Sequence, residues 1–306
     1  MKQWTCDISA SLRPLAAIAL LGFAVFLACS GCEESSDPPA RPDEPEPRPR
    51  LASTSPAATN LLLELRARMF DDSLAAEIVA VSTFDTDARV ADLPRAGDYL
   101  NLDWEALAQA GPDVLIVQVS PEKLPPETKQ RADWLGIEIL HLQIDRLADI
   151  EKAAGDLGEA YFWQLPNDAS RTFADALGPA TPDPNGPATL VVLDTDFSFI
   201  AGRGNYLDDL LNHAGLTNAA AADLASWPNL DDEAMSSLSP DAVLLILPAA
   251  TDAQLESARS RFDTFAPGWG LTGDDLYIVT DPYAMVPGWS VIDLAGQMRQ
   301  IARPAE

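Results

Sequence analysis

From residue 51 onward, apolar residues fall into short runs of four to seven positions separated by longer stretches with helical spacing. The candidate strands of the first half are Leu51–Thr54, Glu77–Ser82, Val114–Val119 and Glu138–Ile144; those of the second are Thr189–Asp194, Ala242–Leu247 and Leu276–Thr280. Helical periodicity covers Leu207–Ala214, Gln254–Phe265 and Trp289–Ala302. Near-continuous apolar runs mark strands buried on both faces, and their alternation with helices marks βα units on a mainly parallel sheet. A break rich in turn residues, from Thr181-Pro182-Asp183-Pro184 to Asn185-Gly186-Pro187, separates the two groups. The pattern therefore predicts an α/β protein of two lobes, 51–145 and 187–306, joined by a helical connector over 146–186. Within the connector, Leu165-Pro166-Asn167-Asp168 interrupts the helical pattern and leaves a short helix over about Ala169–Leu177.

The two halves also repeat in sequence. Asn101-Leu102-Asp103-Trp104-Glu105-Ala106-Leu107, running on to Pro112-Asp113, matches Asn229-Leu230-Asp231-Asp232-Glu233-Ala234-Met235, running on to Pro240-Asp241, at a constant offset of 128 residues. In each copy an Asp is placed to cap a short helix, and a Val/Leu/Ile strand follows. Each Glu stands in the first helical turn, where a carboxylate complements the helix dipole and faces solvent. An aromatic residue precedes each Asn by two positions, Tyr99 in one copy and Trp227 in the other. Two duplicate lobes would set these rings on opposite sides of a cleft.

The N-terminal 50 residues read differently. Leu15 to Ala28 is a 14-residue uncharged run behind Lys2 and Arg13, the length of a signal-peptide core and short for a membrane span. It ends in Leu27-Ala28-Cys29-Ser30-Gly31-Cys32, where small residues precede a cysteine as in a bacterial lipobox. Segment 1–32 is expected to be a lipoprotein signal, with Cys32, or alternatively Cys29, as the lipidated residue; a cleaved signal with incidental cysteines is the other reading. Residues 33–50 hold six prolines and nine charges and one apolar residue, Ala40, the composition of an extended tether.

Composition narrows the chemistry. With 47 acidic against 20 basic residues the net charge is −27, which argues against a nucleic-acid partner. All three cysteines lie in the first 32 residues, so the lobes hold no disulfide, thiolate metal site or cysteine nucleophile, and two histidines, His141 and His213, cannot build a three-histidine zinc site. No resident metal is expected. Asp194 and Asp196, at a strand end, with His213 are the best acid/base set available, and the strand-end placement is ordinary. His141, alternating with Leu140 and Leu142 in a strand, reads as a structural or surface residue and not as a cobalt or iron ligand. Gly202-Arg203-Gly204-Asn205 lacks both the GxGxxG and the Gly-Lys-Ser/Thr patterns and reads as a turn with Asn205 capping the next helix. Trp269 and Trp289 fit either cleft closure or core packing.

Five ordered segments carry a family resemblance: Leu51-Ala-Ser-Thr-Ser-Pro-Ala-Ala-Thr-Asn, Val79-Ala-Val-Ser-Thr-Phe-Asp, Leu93-Pro-Arg-Ala-Gly-Asp-Tyr-Leu-Asn, Phe199-Ile-Ala-Gly-Arg-Gly-Asn and Ala225-Ser-Trp-Pro-Asn-Leu. Together they resemble the cobalamin/iron-siderophore family of ABC-importer substrate-binding proteins, and most of all its vitamin B12-binding subgroup, from about Leu51 to Pro304. The resemblance implies two Rossmann-like lobes with a ligand held between them and no enzymatic activity. It places Phe84, Tyr99, Phe199 and Trp227 at ligand-contacting aromatics, and Glu105 and Glu233 at the lobe-surface glutamates that dock into arginine pockets of the permease. The implied partners are an ABC permease with its ATPase and a small-molecule ligand, with a monomeric receptor held at the outer side of a membrane by its lipid. Thr59-Asn60 stands where the family usually has Thr-Glu.

A broad, weakly polar corrin face suits rigid aromatic planes. A triscatecholate ferric siderophore is strongly anionic and calls for an arginine cluster, whereas only Arg95 and Arg203 fall near the inferred cleft. Cobalamin is therefore favoured, with an iron chelate or haem as the alternative. An exported enzyme of chelatase-like architecture lacks a convincing acid/base set, and a sensory lipoprotein would not need Glu105 and Glu233.

Overall fold

The computed structural model describes residues 48–69, 76–98, 100–162 and 168–302; Cys29 and Cys32, most of the expected tether and Tyr99 lie outside the described residues. The apolar runs form two parallel sheets. In the first, β1 (Arg50–Ser53), β2 (Glu77–Ser82), β3 (Arg95–Gly97), β4 (Val114–Val117) and β5 (Glu138–His141) take the order β3-β2-β1-β4-β5. In the second, β6 (Ala188–Val192), β7 (Thr217–Asn218), β8 (Ala242–Ile246) and β9 (Leu276–Val279) take the order β7-β6-β8-β9. Every pairing within both sheets is parallel. The central strands Val114–Val117 and Ala242–Ile246 are buried throughout, which explains why they read as unbroken apolar runs. The two short edge strands β3 and β7 carry no such run and were not expected.

Chain order reverses between β1 and β4 in the first sheet and between β6 and β8 in the second, so each sheet has its switch point at equivalent strands. The sequence repeat has a structural counterpart there. Asp103 caps α2 (Trp104–Ala110) by accepting from the Ala106 N–H at 2.9 Å, and Asp231 caps α7 (Asp232–Ser236) by accepting from the Ala234 N–H, also at 2.9 Å. At the other end of the repeat, Asp113 accepts from the Arg50 N–H at 2.7 Å and Asp241 from the Ala188 N–H at 2.8 Å. The same aspartate thus pins the start of the first strand in each sheet.

Between the sheets run two helices, α4 (Leu147–Phe162) and α5 (Asp168–Leu177). The short helix expected over Ala169–Leu177 is α5, and it packs against the longer α4. Gly158 permits their contact, because a Cβ there would lie 2.3 Å from the Ala169 Cβ. One apolar cluster then runs through α1 (Pro56–Met69), α4, α5, α6 (Tyr206–His213) and α9 (Val291–Ile301) and touches strands of both sheets, including Leu51 and Ile116 of one and Val191 and Leu244 of the other. Phe173 is fully buried in it and meets Trp289 edge-on, with ring centroids 5.5 Å apart. Phe173→Ala is expected to lower the unfolding free energy by about 3–5 kcal/mol, readable by urea titration, because the site lies where close-packed helices cannot collapse onto the void.

The Asn60 departure has a role in this core. Its Oδ1 accepts from the backbone N–H groups of Trp289 and Ser290 at 2.6 and 3.3 Å, tying the C-terminal segment to α1. Trp289 is 4% exposed, and the Arg68 guanidinium lies 4.9 Å from its ring centroid, so Trp289 packs as core. Trp269, the last residue of α8 (Asp252–Trp269), stacks on Phe265 at 5.2 Å against the second lobe's core. Neither tryptophan closes a cleft.

Candidate functional site

A cleft of about 600 Å³ opens between the lobes, lined by Gln118, Ile144 and Asp145 on one side and by Phe199, Asn205, Tyr206, Ser226, Trp227 and Met285 among others on the opposite side. Gln118 directly follows β4, and Phe199 lies on the loop after β6, so the cleft lies beyond the carboxyl ends of strands at the switch points, where open α/β sheets bind ligands.

Local sequence explains how the second lobe presents its aromatics. After β6, Asp194 accepts from the Ser198 N–H at 2.9 Å and from its hydroxyl at 2.6 Å, which turns the chain back on itself. Phe197 takes a positive φ of 56°, a conformation unfavourable for a bulky residue, and is held there by burial against Phe262 and Phe265. Phe199, two residues on, pairs with Asn229 in an antiparallel bridge. Gly202 follows: a Cβ there would lie 1.9 Å from the Ala225 carbonyl oxygen, so only glycine lets segment 225–228 approach. Asn205 caps α6 by accepting from the Leu207 and Asp208 N–H groups, and its Nδ2 donates to the Ser226 carbonyl at 2.6 Å. Trp227, the next residue, is fixed between Phe199 and Tyr206, with centroids 6.3 and 6.0 Å away. The glycine-rich turn is thus a scaffold for Trp227 and holds no phosphate motif.

Tyr206 was missed by sequence reasoning, because it reads as the first apolar residue of a helix. Its hydroxyl donates to the Met285 carbonyl at 3.3 Å, and burial pushes the phenol well above its ordinary pKa. The first lobe contributes a polar wall. The Ser55 hydroxyl donates to Gln118 Oε1 at 2.7 Å, and the Gln143 side chain donates to Asp145 at 2.9 Å.

No lysine, arginine or histidine is among the described residues that line the cleft, and Asp145 is its one carboxylate. Both arginines considered from the sequence are engaged elsewhere. Arg203 donates to the Asn218 and Ala220 carbonyls, and Arg95 to the carbonyls of Ser82, Asp85 and Ala91. His213 lines a separate groove with Arg146 and Asp209 and is not brought to Asp194, and the His141 Nδ1 donates to the Val119 carbonyl at 2.9 Å.

Phe84 is not brought to this cleft. It is 66% exposed at the end of β2, on a loop wound around its buried neighbour Asp85. Asp85 accepts from the Ser82 N–H at 2.9 Å and from the Thr59 hydroxyl at 3.1 Å, yet burial outweighs these bonds and pushes its pKa up to about 6. A carboxyl whose pKa is higher folded than unfolded binds protons more tightly in the native state. The stability it contributes is therefore full below pH 4 and is lost as pH rises through 6, by on the order of 3 kcal/mol. Asp85→Asn is expected to flatten this part of the stability profile between pH 4 and 7, as measured by denaturant titration at each pH.

Glu105 and Glu233 are both exposed, in the first turns of α2 and α7, and neither lines the cleft. Their equivalence in the repeat is carried into equivalent helices, α2 followed by β4 and α7 by β8, the strands that pair with β1 and β6 across the switch points.

Comparison with known proteins agrees with this architecture. The periplasmic binding protein family matches residues 51–254. No curated protein matches significantly in sequence. Among solved structures, the periplasmic vitamin B12 binding protein BtuF of Vibrio cholerae is similar with a TM-score of 0.62 at 16% identity, covering 84% of this chain and 98% of its own. A periplasmic heme binding protein from Pseudomonas aeruginosa gives 0.60 at 22% identity, covering 84% and 95%. An ABC transporter substrate-binding protein from Listeria monocytogenes EGD-e gives 0.61 at 16% identity, covering 84% and 99%. At these identities the likeness concerns the fold. No described helix is long and apolar enough to cross a membrane. With the family match running from β1 to β8 and the cleft at the switch points of both sheets, the chain belongs to the periplasmic binding protein family of ABC importers.

Proposed function

We propose that this protein is the tethered receptor of an ABC importer that captures cobalamin or a related corrinoid in the inter-lobe cleft and delivers it to the permease. The observation that carries the reading is the cleft's chemistry: Phe199, Tyr206 and Trp227 form one aromatic wall, and Gln118 and Asp145 face it without a basic side chain among the described lining residues. A corrin carries neutral amides on its rim, which suits Gln118 and Ser226 as hydrogen-bond partners. Tyr99, adjacent in sequence to the first repeat, completes the set of aromatics proposed for ligand contact. Cys32, or Cys29, carries the lipid, residues 33–50 are the tether, and Glu105 and Glu233 meet arginines of the permease.

Haem is the competing ligand, as the Pseudomonas aeruginosa structure binds heme by its own description. Two observations weigh against it here. Haem carries two propionates that would face Asp145 with no cation lining the cleft, and the Tyr206 hydroxyl, held protonated by burial and bonded to Met285, is a poor iron ligand. Uptake of radiolabelled cobalamin by cells lacking the gene tests the proposal. Loss of uptake, restored by the wild-type chain and not by a chain with both lipobox cysteines changed to serine, is the expected result. Normal cobalamin uptake with impaired growth on haem iron would assign the cleft to haem.

A further inference from the structure

The two docking helices are too short to hold themselves in place. Isolated helices under about 12 residues are marginal in water, and α2 has seven residues and α7 only five. Each is reached at its first residue, the one directly before the docking glutamate, by an arginine from another helix. In the second lobe, Arg261 of α8 pairs with the Asp232 carboxylate. The same guanidinium donates through Nε to the Asp196 carbonyl at 2.9 Å and lies 4.6 Å from the Phe265 ring centroid. In the first lobe, α3 (Pro126–Leu135) sends the Arg131 guanidinium over the Trp104 ring, 5.8 Å from its centroid. Trp104 and Asp232 are the same position of the repeat, 128 residues apart. The helices α3 and α8 also correspond, since they follow the equivalent strands β4 and β8.

We infer that Arg131 and Arg261 are positioning residues for the two docking carboxylates: each clamps the start of a short helix so that Glu105 and Glu233 project in fixed directions. The clamps differ in chemistry because the clamped residues differ, a cation–π contact onto an indole in one lobe and an ion pair in the other. A planar guanidinium serves both, since it stacks and forks where an ammonium cannot. This inference rests on the docking role assigned above to Glu105 and Glu233.

Positioning and plain electrostatics predict opposite signs, which makes the test decisive. A partner face that presents arginines is repelled by Arg131 and Arg261, so removing a positive charge should tighten docking if charge alone matters. If the arginines act by holding the glutamates, removal loosens docking despite that gain. The measurement is binding of the full-length receptor, its ligand affinity checked in parallel, to the permease–ATPase complex of the source organism in lipid nanodiscs. Arg261→Met is expected to weaken binding roughly tenfold, and Arg261→Lys less, because it keeps the charge and loses the fork. In a Glu233→Gln background, Arg261→Met should cause no further loss. Binding by Arg261→Met that equals or exceeds wild type, or a loss of equal size in the Glu233→Gln background, overturns the inference. If Glu233→Gln alone leaves binding unchanged, the docking reading itself fails, a distinguishable outcome.

Discussion

Charge reversal at either repeat glutamate, Glu105→Arg or Glu233→Arg, is expected to abolish permease binding and uptake, while ligand affinity in solution stays within about twofold. The expectation follows from placement. Both side chains are exposed, both stand in the first turn of a helix capped by an aspartate, and neither touches the cleft. A receptor that straddles a two-fold permease needs one anchor per lobe, and a carboxylate meets an arginine with bidentate geometry. Reversal replaces that pair by two like charges at the contact, which costs several kcal/mol and acts on recognition. Co-purification with the permease, alongside calorimetry on the soluble receptor, separates the two effects. A loss of ligand affinity in either variant would move these glutamates out of the docking role.

Trp227→Ala is expected to weaken corrinoid binding by roughly 1–3 kcal/mol, the cost of removing a central aromatic anchor, and to leave the fold intact. Trp227 is 39% exposed, so its truncation opens the cleft wall and leaves no sealed void in the core. Phe199 keeps its bridge to Asn229 through backbone bonds, and Tyr206 keeps its bond to Met285, so the neighbours stay in place. Thermal unfolding of the variant should differ from wild type by less than about 1 kcal/mol. Binding that is unchanged in calorimetry would place the ligand away from the aromatic wall.

Much of the architecture was legible because burial on both faces writes itself as unbroken apolar runs, as at Val114–Val117 and Ala242–Ile246. The repeat was legible for a different reason: Asp103 and Asp231 as local helix caps, and Asp113 and Asp241 as strand pins, meet hydrogen-bonding demands that hold the sequence at one offset. The edge strands β3 and β7 were not, since two or three residues at a sheet edge carry no periodicity. The short connector helix was legible and is α5, whereas its packing against α4 was not, since spacing along the chain does not show that Gly158 and Ala169 meet. In the cleft, Phe199 and Trp227 were identified by resemblance and are brought together, 6.3 Å apart. Tyr206 escaped notice because a helix-start aromatic looks like core, and Phe84 looked like a wall residue although the loop around buried Asp85 turns it outward.

The electrostatics of the chain reinforce the choice of ligand. A protein with net charge −27 and a cleft without basic lining residues among those described repels polyanionic chelates both at long range and at contact. Neutral or cationic ligands meet no such barrier. A corrinoid with its rim of amides falls in this class, and a triscatecholate iron complex does not.

Calorimetric titration of the purified full chain with cobalamin, cobinamide, haem and a panel of ferric siderophores tests the central claim most directly. The predicted result is saturable one-to-one binding of cobalamin or cobinamide, abolished or weakened by Trp227→Ala, with no heat from the anionic chelates. Tight binding of haem or a ferric siderophore, with corrinoids silent, would contradict it.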